Sequence, residues 1–353
     1  MSPAVSVLLP VRNAAATVAR AVNSIRAQTL GDWELVVVDD GSSDGTAEVL
    51  AALARAEPRL RVLTRPADGI VAALNAGLAA SRGRWIARMD ADDESAPERL
   101  EAQVALLDHP AHGDVGLVGC LVEHAGEPGT QAGYALHVDW LNSLVTPEQI
   151  ALNRFVESPF AHPSVMFRRE LPERFGAYGD GPFPEDYELW LRWLANGVRM
   201  AKVPRILLRW HDPPQRLSRR DARYSPEAFF RLKAQWIARW LLTEGATPAP
   251  GTRATAPRER LLFIWGAGRP TRKRAAPLAA SGVRIAGYID VDPRKQSPAL
   301  GGTGVPVISP ADLPPPGKIF VLAYVSSRGA RELIHAELAR RGYVAGRDFL
   351  LCA

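Results

Sequence analysis

Residues 36–46 read VVVDDGSSDGT: an apolar run that stops at two adjacent aspartates and enters a Gly-Ser-Ser-Asp-Gly turn. Extended back to Trp33, the run is apolar enough for a β-strand buried on both faces, as a parallel strand covered by helices is. GTAEVLAALARAE (Gly45–Glu57) follows with helical spacing, so the unit is strand, turn, helix. Working outward, VSVLLPV (Val5–Val11) is a second such strand, and AATVARAVNSIRAQ follows it with Val18, Val22 and Ile25 on one helical face. RVLT, IVAALNAGLAAS, RWIARM, PERLEAQVALLD and VGLVGCLV continue the alternation. Short links between alternating strands and helices predict an α/β fold with a mostly parallel sheet flanked by helices. Ligands of such sheets bind beyond the carboxyl ends of the strands. Pro10, Asp39, Asp40 and Asp90 all fall there.

Length and composition bound what surrounds this unit. The chain has 353 residues, enough for two domains, and 47% hydrophobic with 23% charged residues is a globular rather than a disordered balance. Charge is uneven: residues 258–353 carry 15 Lys and Arg against 7 Asp and Glu, whereas residues 1–257 carry 28 against 31. The basic C-terminal part could meet phosphates or an anionic membrane surface, and solvated surface charge is the simpler explanation. Nothing calls for a nucleic-acid partner. Cys120 and Cys352 offer no disulfide framework or metal spacing, so a reducing cytoplasm is expected. MSPAVSVLLPVRN lacks a signal-peptide pattern and no apolar run reaches bilayer length, which predicts a soluble or peripheral protein.

Between Glu123 and Asp180 the pattern loosens, with a short helix expected in TPEQIALNRFV. PEDYELWLRWLANG (Pro184–Gly197) reads as a helix with Leu189, Trp190, Trp193 and Leu194 on one face. SPEAFFRLKAQWIARWLL (Ser225–Leu242) reads as another, capped by Ser225, with Pro226 in its first turn. Its stripe of Phe229, Trp236, Ile237, Trp240 and Leu241 fits packing against the sheet domain, with a membrane interface as the alternative. Residues 243–257, rich in Pro, Ala, Thr and Gly, read as a flexible linker between domains at 1–242 and 258–353. Beyond it, RLLFIWGAGRP, RIAGYIDVDP, KIFVLAYV and RGARELIHAELARRG predict a smaller α/β domain.

Acidic residues carry the chemistry. Asp44 suits a helix cap, but two carboxylates at a strand's carboxyl end lie in the ligand crevice, where they can accept from a base or a ribose. RMDADDESAPERL brings Asp90, Asp92 and Asp93 together at another strand end. Like charges so close are costly unless a cation offsets them, and an Asp-x-Asp suits a hard divalent ion that also holds diphosphate oxygens. PFPEDYELW places Glu185 and Asp186 at a helix start, where capping or a general base explains them.

These segments, with HPSVMFRRE, resemble an inverting glycosyltransferase of family 2 with the GT-A fold, over roughly the first 220 residues. The resemblance implies sugar transfer from a nucleotide-sugar donor, a UDP-sugar favoured, to a hydroxyl of a glycan or lipid-linked acceptor, with Mn²⁺ or Mg²⁺. By the same token Pro10, Val11, Asn13, Asp39, Asp40, Asn75, Asp90 and His211 would line the donor site, Asp40 at the base and Asp90 near the ribose. Asp92 would bind the metal, and Asp186, or else Glu185, would be the base. His162 is expected to be structural. The family commonly has an aromatic before the Asn of its first loop; Arg12 stands there, suited to phosphate or to solvent.

GAGRPT resembles the first turn of a Rossmann-like domain: Gly266 and Gly268 permit a tight turn, and Asp290 stands about 22 residues on, where a ribose-binding acid belongs. Thr271 replaces the third glycine, so NAD(P) binding is a secondary reading; a nucleotide, a homodimer contact or a partner fits as well. Bacterial surface glycan synthesis is the leading expectation. A bifunctional enzyme and a silent nucleotide-sugar-binding module are the alternatives.

Overall fold

A computed structural model describes residues 2–125, 132–212, 216–242, 260–299 and 304–353 of the chain. Strands and helices alternate first as β1 (Val5–Val11), α1 (Val18–Arg26), β2 (Trp33–Asp40), α2 (Thr46–Ala56), β3 (Leu60–Arg65) and α3 (Ile70–Ala80). Then come β4 (Trp85–Arg88), β5 (Glu94–Ser95), α4 (Arg99–Asp108), β6 (Val115–His124), α5 (Ala132–Ser143), α6 (Pro147–Asn153), β7 (Met166–Arg168) and α7 (Glu170–Phe175). α8 (Glu185–Ala195), β8 (Arg199–Trp210), α9 (Leu217–Arg220) and α10 (Pro226–Leu242) complete the first part. The last part holds β9 (Leu261–Trp265), α11 (Arg269–Ala280), β10 (Ile285–Ile289), β11 (Val307–Ile308), β12 (Ile319–Ala323), α12 (Ala330–Arg340) and β13 (Phe349–Leu351).

The larger sheet has the order β3-β2-β1-β4-β7-β6-β8-β5. β1 to β4 are mutually parallel, while β7 runs against both of its neighbours and β5 against β8. β1 and β2 are buried along their whole length and mostly apolar because they feed two cores, and the buried Ser6 hydroxyl donates to Glu34 Oε1 at 2.7 Å. Val5, Val7, Leu9, Leu35 and Val37 point to one face, with Val22 and Ile25 of α1. Leu8, Val36 and Val38 point to the other, with Leu74 of α3 and Trp190 of α8. Full burial of each such side chain stabilises the fold by about 1.5–3 kcal/mol. α3 lies so close that a Cβ on Gly77 would stand 2.0 Å from Leu8 Cδ1 and 3.1 Å from Val38 Cγ2.

Register decides where the site falls. Val11 pairs with Asp39 and Leu8 with Arg88, so β1, β2 and β4 all end on one edge. Pro10, Asp39, Asp40 and Asp90 meet there as the alternation implies.

Several elements depart from the sequence reading. β8 is a twelve-residue strand that periodicity hides, because Lys202, Pro204 and Arg205 interrupt its apolar run. Pro204 falls where the β6–β8 register shifts, between the Cys120–Val203 and Leu121–Ile206 pairs. A bulge tolerates the missing N–H. β5 and β7, of two and three residues, are too short to carry a period.

The second sheet is parallel throughout, in the order β11-β10-β9-β12-β13. α10 lies between the sheets, and its Leu232 and Ile237 share one apolar cluster with Tyr187 and Leu191 of α8 and with Leu262 and Leu322 of the second sheet. Packing therefore accounts for the stripe on α10; Ile237 and Leu241 are buried, and Phe229, Trp236 and Trp240 are half-buried. Ser225 Oγ accepts the Ala228 N–H at 3.3 Å, the expected cap. Lys233, 2% exposed, donates from Nζ to Val156 O at 3.0 Å and to Cys352 O at 3.1 Å. The expected linker at 243–257 lies outside the described residues. Among the described residues no helix is long and apolar enough to cross a membrane.

Candidate active site

Carboxylate oxygens of Asp90, Asp92 and Asp93, just past β4, all lie within 4.8 Å of one another. Buried Arg88 orients the first, its Nη2 donating to Asp90 Oδ1 at 2.6 Å. Asp93 Oδ1 accepts the His211 N–H at 2.8 Å, which ties the cluster to the end of β8. Its buried Oδ2 has no partner. Burial, then the charge of Asp90, pushes the Asp92 carboxyl up to about 6. The same two causes, in that order, hold Asp93 well above the ordinary range. Three crowded carboxylates with an orphaned oxygen form a hard donor set that fits Mg²⁺ or Mn²⁺. Around them, His211 Nε2 pairs with Glu94 Oε1 at 2.9 Å, and Arg20 of α1 donates to Asp92 O at 2.7 Å.

At the ends of β1 and β2 the loops are stitched together. Asn13, at φ +51°, accepts the Ser43 N–H on Oδ1 at 2.8 Å and donates its own N–H to Ser42 Oγ at 2.9 Å. Asp39 Oδ1 accepts the Ser42 N–H at 3.0 Å. Asp44 accepts from Thr46 N at 3.0 Å and Ala15 N at 3.1 Å, but it stands one residue before the helix cap, which is Gly45 rather than the Asp44 expected. Asp40 faces elsewhere. Its carboxylate accepts the N–H groups of Asp68 at 2.9 Å and Gly69 at 3.1 Å, holding the start of α3, with Arg12 Nη1 at 3.6 Å. Pro10 and Val11 are buried at the end of β1.

The acid pair opens α8, where the helix dipole favours carboxylates. Glu185 is 3% exposed; its Oε2 accepts the Tyr224 hydroxyl at 2.6 Å, and its Oε1 lies 3.9 Å from His162 Nδ1. Burial raises its carboxyl above the ordinary range. Asp186 is half-buried and accepts the Tyr187 N–H at 2.7 Å. Burial, then the charge of Glu185, pushes it up to about 7. His162 Nε2 shares a hydrogen bond with the Tyr178 hydroxyl at 2.8 Å, and burial keeps the ring neutral. Asn75 of α3 pairs with the Tyr178 backbone in both directions, at 2.9 and 3.1 Å, fixing the segment that leads to α8.

Two arginines act on both acid groups. Arg216 draws down the carboxyls of Asp92, Asp93 and Asp186, and Arg88 those of Asp92 and Glu185. Asp186, pushed up to about 7, is poised to accept a proton near neutral pH.

Gly266, Gly268 and Asp290 lie apart from this, on the second sheet. Gly266 has φ +106°, and a Cβ there would stand 2.7 Å from Val325 Cγ2. Asp290 Oδ2 accepts the Ala267 N–H at 2.8 Å and Oδ1 the Asp292 N–H at 3.0 Å, with Lys295 Nζ 3.3 Å away. Its carboxylate is engaged by the glycine turn itself.

Sequence reasoning singled out neither Arg88, Arg20, Glu94, Tyr178 nor Tyr224. Arg88 and Glu94 flank the aspartates and were open to notice; Tyr178 and Tyr224 reach the site only through tertiary contacts.

Comparison with known proteins shows the family and the fold. Residues 6–175 match glycosyl transferase family 2. The putative glycosyltransferase EpsE of Bacillus subtilis is 31% identical over 229 residues, covering 63% of this chain and 78% of EpsE. The amylovoran biosynthesis glycosyltransferase AmsE of Erwinia amylovora is 32% identical over 189 residues, covering 53% of this chain and 68% of AmsE. Among solved structures, the mannosyltransferase PcManGT of Pyrobaculum calidifontis, in complex with GDP-Man and Mn²⁺, superposes with a TM-score of 0.53. It is 23% identical over 80% of this chain and 76% of its own, a likeness of GT-A fold.

Proposed function

Because the chain belongs to glycosyl transferase family 2, we propose that it moves a sugar from a nucleoside-diphosphate donor to an acceptor hydroxyl in bacterial polysaccharide synthesis, with a divalent metal and inversion. The name of AmsE supports the polysaccharide, and the GDP-Man and Mn²⁺ in PcManGT support a nucleotide sugar held with a metal. Asp90, Asp92 and Asp93 would hold the ion, which when bound would neutralise charge on the departing diphosphate. Pro10, Val11, Asn13, Asp39 and Asp40 shape the nucleobase side, a UDP-sugar being the favoured donor, while Asn75 and His211 fix the segments around it. Asp186 removes the acceptor's proton as its oxygen attacks the face opposite the leaving group, which inverts the anomeric carbon. Glu185 supports Asp186 rather than replacing it, since its own carboxylate is committed to Tyr224.

The observation that carries this reading is the Glu185–Asp186 pair at the start of α8, where burial and the neighbouring charge push Asp186 up to about 7. Asp186→Asn is the test: sugar transfer should vanish while binding of UDP- or GDP-sugars in the presence of Mn²⁺ persists. Wild-type turnover in that variant removes Asp186 from the mechanism. Residues 258–353 we take as a separate Rossmann-like unit joined through 243–257, a division supported by the strand order of the second sheet. The acceptor is a glycan or lipid-linked chain met at the cytoplasmic face of the membrane.

A further inference from the structure

Tyr224 comes two residues before α10, yet its hydroxyl reaches a carboxylate 39 positions away, donating to Glu185 Oε2 at 2.6 Å. A bond this short between a phenol and a buried carboxylate is charge-assisted and favours the ionised acid. Burial, and then the charges of Glu185 and Asp186, raise the phenol's own proton affinity, so Tyr224 stays a donor at every working pH.

The hydroxyl is held by a rigid support. The Tyr224 N–H donates to Asp221 O at 3.1 Å, and Arg223 Nε pairs with Asp221 Oδ2 at 2.9 Å. Ser225 caps α10, Phe229 of α10 packs on the Tyr187 ring at 5.5 Å, and Lys233 pins the helix to Val156 O and Cys352 O. The segment carrying Tyr224 is therefore braced by α8, by the loop after α6 and by the chain following β13.

We propose that Tyr224 is a positioning residue for the acid pair: its hydroxyl fixes the Glu185 carboxylate, in charged form, beside Asp186, and that neighbouring charge keeps Asp186 basic enough to take the acceptor's proton. This rests on the reading of Asp186 as the base. Other groups face the pair as well. His162, neutral and bonded to Tyr178, lies on one side of Glu185; Arg88 and Arg223 act on Glu185, and Arg216 acts on Asp186. None of them donates a hydrogen bond to Glu185 as Tyr224 does. Without that donor, Glu185 takes up a proton at higher pH. Over the range where it is neutral, Asp186 loses a repelling neighbour and becomes a weaker base.

The test is a pH titration of the full chain carrying a carbon-13 label at aspartate Cγ, as wild type, Tyr224→Phe, Glu185→Gln and Asp186→Asn. The last identifies the Asp186 signal by its disappearance. In Tyr224→Phe the Asp186 midpoint should fall by about one pH unit, the scale of one neighbouring charge. Glu185→Gln should lower it at least as far, and adding Tyr224→Phe to it should move it no further. Loss of packing alone would also lower this midpoint by admitting water, but it would do so in the Glu185→Gln background as well, where the proposal expects no further shift. An unmoved or raised midpoint in Tyr224→Phe overturns the proposal. Turnover of UDP- and GDP-sugars separates the two readings. Full activity of Asp186→Asn defeats Asp186 as base, whereas an inactive Asp186→Asn with an unmoved midpoint in Tyr224→Phe defeats the role of Tyr224 alone.

Discussion

Asp186→Asn should stabilise the protein at alkaline pH while silencing it, and the size of the gain follows from what surrounds the carboxyl. Burial first, and the charge of Glu185 second, hold it at about 7. An unperturbed aspartate titrates near about 3.9, so folding works against its ionisation by about three pH units, or about 4 kcal/mol once the group is fully charged. That figure is a ceiling, because the side chain is half-buried and the repulsion is shared with Glu185. About half of it, ~2 kcal/mol, is the expected gain. The sign depends on pH. An acid whose folded pKa is raised contributes stability that is complete below the unfolded value, about pH 4, and is lost as the pH rises through about 7. Wild type and variant should therefore melt together near about pH 4 and diverge above it. At about pH 8 the variant should unfold about 3–4 °C higher. Asn keeps the oxygen that accepts the Tyr187 N–H, so the helix start is not disturbed. Urea and thermal unfolding of both proteins across this range is the assay. A variant that is less stable at about pH 8, or more stable by the same amount at every pH, refutes the reasoning.

Asp92→Asn removes an oxygen from a set whose members lie within 4.8 Å, and should weaken Mn²⁺ binding, followed by electron paramagnetic resonance, by at least about tenfold. Gly77→Ala drives a Cβ to within 2.0 Å of Leu8 Cδ1 and should cost about 1–3 kcal/mol in urea unfolding, because α3 cannot retreat without opening the core. Lys233→Met keeps the length of the side chain but leaves the Val156 and Cys352 carbonyls without their donor; a loss of about 1–3 kcal/mol is expected by the same measurement.

The β1–β4 region was legible because β1, β2 and β4 are mostly apolar buried runs alternating with helices over short links, so hydrophobic period suffices. β8 was not, since Pro204 and Arg205 break its run at a bulge that only the partner strand reveals. The site divides the same way. Asp90, Asp92 and Asp93 are neighbours in sequence and were visible as a cluster. Tyr224 and Glu185, or Asn75 and Tyr178, meet across 39 and 103 residues, separations at which no local pattern survives. Asp40 shows a third case. Its strand-end position pointed to ligand binding, and in the structure it also holds the Asp68 and Gly69 N–H groups that lead into α3, a helix beyond the one that follows it in sequence.

The central claim is that this pocket consumes a nucleotide sugar with the help of a divalent ion. A panel of UDP- and GDP-sugars, each with Mn²⁺, with Mg²⁺ and with chelator, followed by released nucleoside diphosphate, tests it most directly. Release from one donor, dependent on the metal and lost in Asp92→Asn, is expected. Release from no donor, or release indifferent to chelator and to Asp92, would contradict it.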